Sequence, residues 1–220
     1  MGLRKAIPWT AAAVCFIAAG AAFSEVHRLK GRIGELTRHE FHDHKDVREY
    51  MIAAALADAP EPIFVLGDSI TEMATLPHEL CGHPVINAGV GGQTIQEAKR
   101  LATRVLGERG AFLVALTVGA NDIGSASAQS DFVALIDAVK PLSQRPLVAV
   151  AVTSDEAMNR EIAAATAARG VAFVKPQIPA TADSMMSDKV HYRAAAYSSW
   201  IPALKTAITQ KCTASWTKLT

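Results

Sequence analysis

The chain has 220 residues, half of them apolar and a fifth charged, a composition ordinary for a globular protein. That length suits one domain with some additional sequence and is short for two. Lys and Arg total 22 against 21 Asp and Glu, with the signs mixed along the chain, so nothing in the charge argues for a nucleic-acid partner.

In chain order the N-terminus comes first. Met1 to Lys5 is a short basic segment, and Ala6 to Phe23 follows as an Ala-rich apolar run without charge. A basic flank before such a run is the pattern of an export signal. The run is marginal for a spanning helix and long for the apolar part of a signal peptide, so a signal peptide and a membrane anchor over residues 1–24 both stay open. Ala19-Gly20-Ala21 offers a small-residue cleavage site. Against cleavage, Val26, Leu29, Ile33 and Leu36 fall on one face of an uninterrupted helix. The reading leans to an uncleaved anchor running into a polar helical stalk over residues 25–60. In both cases the globular part is expected outside the cytoplasm, periplasmic or otherwise extracytoplasmic, because a short basic flank tends to stay inside. Within the stalk, His39, Glu40, His42, Asp43 and His44 suggest a metal cluster at first sight. On a helix residues 39 and 42 share a face and 42 and 44 do not, so a solvated surface is the better reading and no metal is expected.

Pro60-Glu61-Pro62 ends this texture and opens the domain assigned to residues 61–220. Beyond it, short apolar runs alternate with longer amphipathic ones. Strands are predicted at Ile63–Leu66, Pro84–Asn87, Ala111–Val118, Pro146–Val152 and Val171–Val174. Helices are predicted at Thr94–Leu106, at Ser130–Leu142 with Ser130 as N-cap, at Asp155–Arg169 and from Tyr192 to about Thr209. Continuous apolar strands separated by helices mean a parallel sheet covered on both faces. The expected fold is a three-layer α/β/α sandwich with about five parallel strands.

In such a sheet, ligands bind beyond the carboxyl ends of the strands. The polar, glycine-rich clusters follow the strands as that rule requires: Gly67-Asp68-Ser69, Asn87 to Thr94, Gly119-Ala120-Asn121-Asp122, and Asp188 to His191. Together they contain the parts of a nucleophilic site. A serine needs a base for its proton, a group to orient that base, and donors for the developing oxyanion. Ser69 stands at a strand-to-turn junction, His191 is the histidine of the four clusters, and Asp188 precedes it on the same turn. Asn121 has an amide able to donate, and Gly92 an unobstructed N–H. Taken singly, Ser69 reads as a helix N-cap and Asn121-Asp122 as turn chemistry; the four clusters on one rim outweigh that. The glycines lack dinucleotide-binding spacing, no Walker-type lysine follows them, and Thr71 breaks the Gly-x-Ser-x-Gly elbow.

These residues carry a resemblance. Gly67-Asp68-Ser69-Ile70-Thr71, the glycine at position 92, Gly119-Ala120-Asn121-Asp122 and Asp188-Lys189-Val190-His191 are similar, in order, to the four blocks of the SGNH, or GDSL-type, hydrolases. The similarity runs from about Ile63 to Ile208. It implies a flavodoxin-like sheet and an open site in which Ser69 is the nucleophile, His191 the general base and then acid, and Asp188 the residue orienting it. The N–H groups of Ser69 and Gly92 and the Asn121 side chain would form the oxyanion hole, and no metal or organic cofactor is implied. Lys189 and Ala196 stand where the family has glycine, and Gly89 is a rival to Gly92. The expected function is hydrolysis of carboxylic esters, on a small-molecule or glycan substrate. Acyl transfer or deacetylation on a cell-envelope glycan, and a catalytically silent envelope-binding domain, are the alternatives. Cys81 and Cys212 could pair in an exported domain or be two small buried residues.

Overall fold

The computed structural model describes residues 3–36, 43–179, 181 and 183–214. They fall into two compact units divided after Asp43. Among its described residues the first contains a single helix, α1 (Leu3–Leu36), continuous across the predicted junction of leader and stalk. Among the described residues no helix is long and apolar enough to cross a membrane, so a spanning anchor finds no support there.

The second unit opens with α2 (His44–Ala57). This corrects the reading of residues 25–60 as one stalk. Ile52 and Leu56, one helical turn apart, are buried at 1% and 2% exposure, so the apolar face of α2 belongs to the core of this unit. The remaining elements are β1 (Ile63–Gly67), α3 (Ser69–Glu72), β2 (Glu79–Leu80), β3 (His83–Gly89), α4 (Ile95–Leu106), β4 (Leu113–Thr117), α5 (Ala128–Val139), β5 (Val148–Val150), α6 (Glu156–Ala168), β6 (Ala172–Val174) and α7 (Ala194–Cys212). Short 3₁₀ turns cover Ala120–Asp122 and Lys140–Leu142.

The sheet order is β2-β3-β1-β4-β5-β6. The five expected strands run parallel, and β2 is a sixth, antiparallel on the β3 edge. With only two residues, β2 left no periodicity in the sequence to read. It is joined to β3 by Cys81 and Gly82, both at positive φ (54° and 80°), as a type I′ hairpin turn requires. Without this strand the order is the flavodoxin-like 2-1-3-4-5.

Alternation along β1 divides the core. Phe64 and Leu66 face the cluster that contains α2, α4, α5 and α6, while Ile63 and Val65 face the cluster of Ile70 and α7. The third layer is therefore α3 with α7. Side chains fix several helix starts. Thr94 and Glu97 form a reciprocal capping box on α4, and Asp155 caps α6 by accepting from the Met158 N–H. Helix α5 begins at Ala128, so Ser130 is not its cap; the Ser130 hydroxyl instead donates to the Ser127 carbonyl.

Candidate active site

Register determines where the loops leave the sheet. Gly67 of β1 pairs with Gly89 of β3 and with Thr117 of β4, so three clusters emerge side by side at one level. Ser69 follows one strand and starts α3 at once, which leaves its N–H among the unsatisfied donors of a helix start.

His191 comes from the long loop between β6 and α7. The Ser69 hydroxyl donates to its Nε2 across 2.9 Å, and its Nδ1–H donates to Asp188 Oδ2 across 2.7 Å. Asp188 Oδ1 accepts the backbone N–H groups of Val190 and His191, at 2.9 and 3.0 Å. Those bonds hold the carboxylate fast although its side chain is about half exposed. The side-chain bond from His191, helped by the two backbone N–H groups, lowers its pKa to about 2. An ionised acceptor keeps the imidazole proton on Nδ1 and leaves Nε2 free to accept. The turn between them puts Lys189 at φ 59°, a conformation that glycine adopts most readily.

The two expected side contributors lie across the rim. Gly92 is exposed, has φ 71°, and no atom lies closer than 3.9 Å to where a Cβ would stand. Its rival Gly89 is excluded as a donor, since its N–H already donates to Asn87 Oδ1 at 3.0 Å. Gly89 has a different need for lacking a side chain: a Cβ there would stand 2.1 Å from the Glu72 nitrogen, inside the backbone of α3. Asn121 spends one amide hydrogen on the carbonyl of Gln93, at 3.0 Å. That bond orients the amide beside the Gly92–Gln93 segment and leaves its second hydrogen for another acceptor.

Several positioning residues were not foreseen. Asp68 has no solvent exposure; its Oδ1 accepts from the Ile70 N–H and its Oδ2 from the N–H groups of Gly119 and Ala120. It therefore ties the nucleophile turn to the Asn121 turn. Burial pushes its pKa up to about 6 against the pull of those three donors. Gln93, also buried, donates to the Gly67 carbonyl at 2.7 Å. Asp122 Oδ2 accepts from the Ile95 N–H at the start of α4. Glu72 accepts from the Gly91 N–H at 2.6 Å and is held by His44 at 2.8 Å and Arg48 at 3.4 Å. Arg48 also donates to the carbonyls of Asn87 and Gly89. Local sequence gave these residues only turn or surface character. Of the suspected histidine cluster, His39 and His42 lie outside the described residues, and His44 is the partner of Glu72. Among the described residues no group of three or more His, Cys, Asp or Glu is placed to hold a metal.

Chemically, this rim can take a proton from Ser69, store it on an imidazole next to a carboxylate, and offer N–H donors across from it. No protein-family profile matches the sequence, and no curated protein does. Solved structures do. The chain is similar to a GDSL-like lipase from Bacteroides thetaiotaomicron, at 19% identity over 74% of this chain and 94% of that one, with a TM-score of 0.57. It is also similar to the lipase/acylhydrolase from Enterococcus faecalis, at 16% identity over 68% and 94%, with a TM-score of 0.51. A third is a catalytic mutant of an acetylxylan esterase from Geobacillus stearothermophilus, at 14% identity over 73% and 97%, with a TM-score of 0.50. The chain has the SGNH, or GDSL-type, hydrolase fold.

Proposed function

We propose that this protein is a serine hydrolase of carboxylic esters, working through an acyl-Ser69 intermediate. The observation that carries the reading is the unbroken hydrogen-bond chain from Ser69 Oγ through His191 to Asp188. His191 Nε2 takes the hydroxyl proton as Oγ attacks the ester carbonyl. Asp188 stabilises the imidazolium without taking its proton. The oxyanion is held by the N–H groups of Ser69 and Gly92 and by the Asn121 amide. Collapse of the tetrahedral species sends the carbon–oxygen bonding pair to the alcohol oxygen, which receives the proton from Nε2 and leaves. Water, deprotonated by the same nitrogen, then releases the acid and frees Ser69.

The substrate class is a small-molecule or glycan ester, in keeping with the lipases and the acetylxylan esterase that share the fold. Transfer to an envelope glycan gains no observation of its own, and the linked Ser–His–Asp set leaves a silent binding role without a motive. The chain is exported and works outside the cytoplasm: a disulfide joins Cys81 to Cys212, as suits an oxidising compartment, and a basic flank precedes the apolar run. The deciding experiment is hydrolysis of p-nitrophenyl acetate with fluorophosphonate labelling. Ser69→Ala is expected to abolish both. Turnover within about twofold of wild type in that variant would sink the proposal.

A further inference from the structure

A cavity of about 720 Å³ is lined by Tyr192, the residue after His191, and by Met73, the C-cap of α3. Its walls are mostly apolar, with Met73, Met186, Tyr192, Tyr197 and Ile201 among them, and Thr75 and Arg193 add polar groups to the lining. Met73 ends the short helix that Ser69 begins, and Tyr192 follows His191 directly. The Tyr197 hydroxyl donates to the Ile70 carbonyl at 2.7 Å, so its ring bridges α7 to the residue after Ser69. The Met186 N–H donates to the His191 carbonyl at 2.8 Å. Met73 and Met186 are large apolar side chains left 47% and 38% exposed.

The position of this cavity is informative. Gly92 and Asn121 lead into α4 and α5, which pack on one face of the sheet, whereas α3 and α7 pack on the other. Tyr192 and the Met186 bond to the His191 carbonyl place the cavity beside the His191 loop, whereas the loops of Gly92 and Asn121 lead to helices on the other face of the sheet. In the tetrahedral species the departing oxygen must meet His191 Nε2 to receive its proton. The alcohol half of the ester is therefore directed to the His191 side. Resting on the acyl-serine reading above, we infer that this cavity binds the alcohol moiety of the substrate ester, and that this moiety is apolar, an alkyl or aryl group. The volume is within the range of small-molecule sites, and exposed methionines suit a wall that adapts to chains of different shape.

The test uses the whole chain and acetate esters of primary alcohols from ethanol to octanol, which differ little in acidity. Values of kcat/KM are expected to rise by up to about fourfold per methylene until the cavity is filled, the equivalent of burying one CH₂. Ala194 and Ser198 also line the cavity and are exposed. Ala194→Trp and Ser198→Trp, each confirmed folded by its melting curve, should lower kcat/KM on hexyl acetate relative to ethyl acetate by about tenfold or more. A labelled, active wild type with a flat alcohol series overturns this assignment alone. So does a tryptophan variant that loses ethyl hexanoate hydrolysis and keeps hexyl acetate hydrolysis, since the acyl chain would then own the cavity. A wild type with neither Ser69 labelling nor turnover overturns the hydrolase reading and this one with it.

Discussion

Asp68, next to the proposed nucleophile, is fully buried and has its pKa raised to about 6, chiefly by loss of hydration. The unfolded chain releases this proton near pH 4, whereas the folded chain holds it to about pH 6. The folded state thus binds more protons in that window, and the Asp68 contribution falls as pH rises from about 4 to 6, by on the order of 3 kcal/mol. Chemical denaturation across that range should show the slope in wild type and lose it in Asp68→Asn; parallel curves would refute the assignment. Asp188 has the opposite sign. Its lowered pKa, from the His191 bond first, makes a contribution that is present above about pH 4 and lost as pH falls through about 2. At the same scale, Asn121→Ala should lower kcat on a p-nitrophenyl ester by about 10²–10³, the effect of one oxyanion donor, with KM little changed. A larger rise in KM than fall in kcat would show that Asn121 binds the substrate's ground state instead.

Among the elements, α2 departs furthest from the sequence reading. The segment looked like solvated stalk because charged residues from Asp43 to Glu49 dominate its start. Its apolar residues are spaced so that Ile52 and Leu56 enter the core, while His44, Lys45 and Arg48 project toward the second-block loop: Arg48 to two β3 carbonyls and Glu72, Lys45 to Glu97. Arg48 is a mostly buried cation whose removal would leave Glu72 with a weaker partner and two carbonyls without their donor. Arg48→Ala is expected to cost about 2–3 kcal/mol in urea denaturation, beyond the ~1 kcal/mol ceiling of an exposed pair. Leu56→Ala should cost about 2–5 kcal/mol through the cavity it leaves. If either change proves neutral, α2 is dispensable to this fold.

At the scale of the molecule, the disulfide between Cys81 and Cys212 closes a loop of 131 residues. It links the β2–β3 hairpin turn to the last residue of α7 and encloses four of the six strands, β3 to β6. Closing so long a loop in the unfolded chain bounds its stabilisation at about 5 kcal/mol by chain entropy, with measured bridges commonly at about 2–5 kcal/mol. The double variant Cys81→Ser with Cys212→Ser should unfold at correspondingly lower denaturant, and a reductant should reproduce the loss in wild type without further effect on the variant. Equal midpoints with and without reductant would show that the bridge contributes nothing.

Much of this protein was legible in its sequence because the relevant signals are local. Unbroken apolar runs specified five parallel strands, helical spacing specified α4, and three of the four polar clusters directly followed their strands. Ser69, Asn121 and the Asp188/His191 pair could be picked from those clusters, since the chemistry of a nucleophilic site needs those residue types. What only the tertiary structure decided are relations between segments distant in sequence. Residue 69 meets residue 191, Asp68 joins the first loop to the third, Gly89 is occupied and Gly92 is not, α2 joins the core, and Cys81 reaches Cys212. The physical reason is the same in each case. A side chain's chemistry is written in its own sequence, but its hydrogen-bond partner, burial and pKa depend on which other segment the fold brings to it.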